Sequence, residues 1–126
     1  MKKTQALHSF WAGFGIPAYQ ESSVPDGASA PEYPYITYQN AADFFGNKLA
    51  LSASVWDRSS SWGVAEEKTA EISNKITSGG VLIPYDGGVL WITRGSPFSQ
   101  SAPTDPSDDM IKRKLINITA EFISEN

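Results

Sequence analysis

Two stretches of this chain alternate with a two-residue period. Leu49, Leu51, Ala53 and Val55 alternate with Ala50, Ser52, Ser54 and Trp56. Ile116, Ile118, Ala120 and Phe122 alternate with Asn117, Thr119 and Glu121. Such a period marks a β-strand with one buried face, and a one-residue slip would turn every core side chain outward. The chain is thereby committed to a sheet that is covered on one side. Trp56 falls on the other, more polar side, where it needs cover from a helix, a loop or a neighbouring subunit.

The cover for the core face comes from two helices. Residues 3–14 place Leu7, Phe10, Trp11 and Phe14 on one stripe, with Gly13, Gly15 and Pro17 as stop signals. A second helix is expected from about Trp62 to Ile76, with Ala65, Thr69, Ile72 and Ile76 as its stripe. Ser59, Ser60 and Ser61 are candidate N-caps, Glu66 and Glu67 suit its positive end, and Gly79-Gly80 ends it.

Further strands are expected over residues 16–20, 35–38, 81–83 and 89–93, the last two joined by the turn Tyr85-Asp86-Gly87-Gly88. Two stretches rich in Pro, Gly, Ser and Asp, 21–34 and 95–109, read as loops. The order helix, strands, helix, strands with tight turns gives an α+β fold: a mainly antiparallel sheet with two helices packed on one face. No repeat or internal boundary appears, so residues 1–126 form a single domain.

Charge and composition narrow the function. The net charge is -4, which argues against a nucleic-acid binder with its basic excess. With no cysteine, neither a disulfide scaffold nor a thiol nucleophile is possible. Residues 4–14 lack the apolar core of a signal peptide, and no stretch approaches the roughly 20 apolar residues of a membrane helix.

Catalytic patterns are missing. His8 is the one histidine and has no marked partner. One His and no Cys leave a zinc site almost nothing to use. Asp105, Asp108 and Asp109 lack the spacing of a calcium loop and read as a solvated turn. Gly79-Gly80 and Gly87-Gly88 lack phosphate-loop context, and no G-x-S-x-G surrounds the serines at 59–61. No cofactor and no metal is expected, and the chain is not read as an enzyme. Lys112, Arg113 and Lys114 alternate sides in a strand and make no single basic patch.

What remains is a set of aromatic and arginine side chains at strand ends and beside loops. Tyr33, Tyr35, Trp56, Arg58, Trp62, Tyr85, Arg94 and Phe98 are the candidate assembly interface, because Trp, Tyr and Arg are enriched in protein contacts.

Several segments also carry a resemblance. They are Ile16-Pro17-Ala18-Tyr19, Ser23-Val24-Pro25-Asp26-Gly27, Tyr33-Pro34-Tyr35-Ile36-Thr37-Tyr38 and Val55-Trp56-Asp57-Arg58-Ser59-Ser60-Ser61-Trp62. Gly80 to Gly95 and Asp109-Met110-Ile111 complete the set. As a set they resemble the tail terminator, or tail completion, family of long-tailed bacteriophages and prophages. The resemblance implies a ring-forming homo-oligomer, typically a hexamer. That ring would cap the tail tube, take part in head-tail joining, and contact the tail tube protein and neck proteins. It implies a place in the virion's tail or neck, with the host cytoplasm as the site of assembly. It carries over no active-site residue. Other expectations are another neck or head-tail connector protein, or a small monomeric protein-binding module; a hydrolase with an unmarked site is the third class. A mildly acidic ring would let DNA slide past without sequence-specific binding.

Overall fold

The structure is a computed structural model that describes residues 1–40, 48–104 and 106–124. Helix α1 spans Lys3–Trp11 and continues as a 3-10 turn over Ala12–Phe14. Its first turn is held by the Gln5 side-chain carbonyl, which accepts the Lys2 N–H at 2.7 Å. That is half of a capping box. Strands β1 (Ala18–Gln20) and β2 (Tyr35–Tyr38) follow, then β3 (Lys48–Arg58), α2 (Gly63–Ile76), β4 (Val81–Tyr85), β5 (Gly88–Ser101) and β6 (Ile111–Ser124). The fold is α+β, as the alternation and helical stripes predict.

The six strands lie in the order β1-β2-β3-β6-β5-β4, and only β1 and β2 pair in parallel. β6 sits in the middle, with Leu51 opposite Ile118 and Ala53 opposite Ile116 on β3. Those side chains are buried and pack with Leu7, Phe10 and Trp11 of α1 and Ile72 and Ile76 of α2 in one core. Both helices therefore cover the same face of the sheet. Lys68 ties them together by donating from Nζ to the Phe14 carbonyl at 3.0 Å.

Three local expectations are corrected. First, residues 95–101 are not loop: β5 runs on to Ser101, and Ser99, Gln100 and Ser101 pair with Ile116, Leu115 and Lys114. The register slips between Arg94 and Ser99, so Pro97 sits in an irregular stretch that needs no ladder hydrogen bond from it. Asn117 donates from Nδ2 to the Pro97 carbonyl at 3.0 Å across that stretch. Second, the serines do not cap α2. Trp62 occupies the N-cap position, while Ser59 and Ser61 accept from the N–H groups of Ser61 and Gly63 in the approach to the helix. Third, α2 ends at Ile76 as expected, but its stop is Thr77, whose φ of 59° is left-handed, and not the glycines at 79–80. The 21–34 segment holds two 3-10 turns, Glu21–Ser23 and Gly27–Ser29.

Candidate assembly surface

The helix-free side of the sheet is built by the residues that alternate away from the core. β2 and β3 pair Tyr35 with Trp56 and Thr37 with Ser54; β3 and β6 pair Trp56 with Arg113. Tyr35, Trp56 and Arg113 thus stand in one row across three strands. Tyr35 and Trp56 stack at 6.3 Å between centroids, and the Arg113 guanidinium lies 4.8 Å from the centre of the Trp56 ring. Tyr33 leans on Tyr35 from the loop before β2 at 5.3 Å, and Tyr19 meets it edge-on from β1 at 6.3 Å.

Polar atoms fix this row. Trp56 donates from Nε1 to Thr37 Oγ1 at 2.9 Å, and Arg113 donates from Nε to Ser54 Oγ at 2.9 Å. Ser54 is fully buried beneath them. Both hydroxyls are on neighbouring strands of the same face, so the aromatic rings are held in one orientation by strand register. A groove of about 350 Å³ beside the row is lined by Glu21, Val24, Tyr35, Thr37, Trp56 and Arg113.

The eight candidates are not brought together as one surface. Tyr33, Tyr35 and Trp56 meet in the row. Trp62 stands at the start of α2, on the core side, with the ammonium groups of Lys112 and Lys114 at 5.7 and 5.5 Å from its ring. Lys114 also pairs with Glu66 at 2.8 Å. Arg58 reaches Asp108 at 3.3 Å. Arg94 donates to the Ser73 carbonyl at 2.6 Å and so anchors α2 to β5. Tyr85 is buried edge-on against Phe122, with its hydroxyl unpartnered among the described residues. Phe98 is half-buried against the core.

Reading single residues for interface composition missed Arg113 and Tyr19. Part of the signal for Arg113 was in the sequence: counting back in twos from Asn117 places it on the polar side, while its alignment with Trp56 comes from strand pairing. It also missed Leu82, Trp91 and Ile123, which are exposed on the same helix-free side at the far edge of the sheet.

His8 bonds through Nδ1 to the Tyr38 hydroxyl at 2.8 Å. Among the described residues no group of His, Asp and Glu gathers to hold a metal ion, and no helix is long and apolar enough to cross a membrane. Asp105 lies outside the described residues; Asp108 is taken up by Arg58 and by the Met110 N–H at 3.0 Å. Asp57 is buried at the end of β3 with one carboxylate oxygen unpartnered among the described residues.

No protein-family model matches the chain, and no curated protein matches it significantly. A solved structure does. The chain superposes on one chain of the virion of a native gene transfer agent particle, with a TM-score of 0.58 and 18% identity. The match covers 97% of this chain and 95% of that one. The two share a fold.

Burial raises the Tyr35 phenol above its ordinary pKa of about 10, and the neighbouring Tyr33 adds to the shift. Burial raises Tyr38 as well, against a smaller lowering by the Gln20 side chain. The folded chain therefore holds these protons more tightly than the unfolded one. The stability this gives is complete below about pH 10 and is lost as pH rises through the folded values. Denaturant midpoints should be flat from pH 7 to 9 with respect to these groups and fall above about pH 10. The fall should be shallower in a Tyr35→Phe/Tyr38→Phe chain, and an equal fall in both would contradict the assignment.

Proposed function

We propose that this chain is a structural protein of a phage-like virion, and that within the particle it forms the ring that caps the tail tube. The observation that carries the virion role is the shared fold, over almost the full length of both chains, with a virion component. The tail-terminator role adds the resemblance of the segments around Tyr33–Tyr38, Val55–Trp62 and Gly80–Gly95. A rigid aromatic row on the uncovered side of the sheet suits a subunit that works by contact. Aromatic side chains bring large apolar area with few rotatable bonds, so fixing them in an interface costs little entropy.

In this reading the partners are further copies of the chain, the tail tube protein and the neck proteins, and the place of action is the tail or neck of the virion. No chemistry is assigned to any side chain. A neck or head-tail connector position is the second reading, because the shared fold favours a virion component without choosing among its rings.

The test is to delete the gene and image the particles by electron microscopy. Overlong or ragged tails are the expected result. Filled heads beside tails of normal length would move the protein to the joining step. Normal infectious particles would overturn the virion role. In parallel, light scattering on purified protein should give a mass near six times the 13.7 kDa subunit.

A further inference from the structure

The helix-free side of the sheet carries two apolar patches at diagonally opposite corners. The first is the row of Tyr35 and Trp56 with its groove. The second lies over β4, β5 and the end of β6. There Leu82 is 61% exposed, Ile123 42% and Trp91 36%, and Leu82 stands opposite Trp91 in the β4–β5 register.

We infer that these two corners are the two halves of one contact between copies of this chain, joined head to tail. The inference rests on the ring reading above and deepens it by naming the surfaces.

Charge is the first reason. Each patch is bordered by one acid and one base: Glu21 and Arg113 at the first, Lys48 and Glu121 at the second. None of these four forms an ion pair among the described residues. Arg113 and Glu121 lie on the same strand and the same side, eight residues apart. That is about 27 Å at the rise of a strand, too far for them to meet within one chain. Between copies, Arg113 faces Glu121 and Glu21 faces Lys48. Apolar area then meets apolar area with opposite charges at the rim, the arrangement that selects partner and orientation.

Geometry is the second reason. Two patches on one flat face would be covered at once by a single inverted copy, in a closed pair. Sheet twist prevents that: each strand turns by about 20–25°, so corners three strands apart face directions about 60–75° apart. Each corner therefore takes a different neighbour. Contacts of this heterologous kind propagate until a ring closes.

The experiment is charge exchange, read by sedimentation equilibrium, with circular dichroism to check folding. Arg113→Glu and Glu121→Arg should each weaken self-association by about tenfold or more. The doubly exchanged chain should recover it, and so should an equal mixture of the two single variants, because each then meets an opposite charge. Leu82→Asp, at a side chain exposed enough to spare the fold, should also block association.

Association that ignores all three substitutions, or a double variant that does not recover, would overturn the surface assignment. So would a wild-type chain that stops at a dimer, or one that stays monomeric at millimolar concentration. The virion reading is judged separately, by whether the protein is found in purified particles. Its absence there, with the exchanges behaving as expected, would remove that reading and leave the contact.

Discussion

Replacing Trp11 by Ala should lower the unfolding free energy by about 3–5 kcal/mol, the usual cost of truncating a buried tryptophan. Trp11 is 1% exposed and is the largest fully buried side chain of α1. It packs edge-on against Phe10 at 4.8 Å and lies nearly parallel to Tyr38 of β2 at 6.4 Å. It is therefore the bolt between the first helix and the β1–β2–β3 half of the sheet. Small domains are stable by only about 5–15 kcal/mol, so the loss is a large fraction of the whole. The thermal midpoint should fall by about 10–20 °C. Urea unfolding followed by circular dichroism is the measurement. A loss below about 1 kcal/mol would mean that α1 does not dock on the sheet as described.

Gly80→Ala is expected to be strongly destabilising, because backbone conformation and steric contact act together there. Gly80 has a φ of +88°, which costs an L-residue about 1–2 kcal/mol. An added Cβ would also lie 2.7 Å from the Ile92 carbonyl oxygen and 2.5 Å from Trp91 Nε1. The indole could swing away, though it would lose its 3.0 Å bond to the Gly79 carbonyl. The Ile92 carbonyl cannot, because Ile92 pairs with Val81 in the sheet. Overpacking of this kind adds about 1–3 kcal/mol. Gly87→Ala is the control: φ is +91° but nothing lies within 4 Å of the added carbon. It should cost only the conformational part. Equal losses at the two positions would show that the contact with β5 is not what makes Gly80 necessary.

The parts of the fold that were legible in the sequence are those governed by local period. Leu49–Val55 and Ile116–Phe122 gave both the strands and their faces, because burial on one side forces alternation. Ala65, Thr69, Ile72 and Ile76 are all buried on α2 for the same reason at helical spacing. The continuation of β5 beyond Arg94 was not legible. Gly95, Ser96 and Pro97 carry every loop signal, and only the partner strand, 13 to 17 residues away, pulls Ser99–Ser101 back into the ladder. The row of Tyr35, Trp56 and Arg113 was half legible: its aromatics stood out, but their alignment depends on which strands are neighbours. That is set by pairing across the sheet, and no local pattern encodes it. Tyr85 and Arg94 were placed by residue type alone. The structure spends the first on the core and the second on holding α2.

The position of β6 has a consequence for how the protein is made. It is translated after every other described strand, yet it fills the centre of the sheet. Until it emerges from the ribosome, β3 and β5 each present an unpaired edge, and the helices have no continuous surface to cover. The nascent chain then resembles two half-sheets with sticky margins, the condition in which strands pair with the wrong partner. Closure pairs β3 with a strand 53 to 73 residues downstream, a long-range step that is intrinsically slow. Productive synthesis therefore depends on how quickly β6 arrives, and a pause in translation just ahead of it is where this chain is most exposed to aggregation.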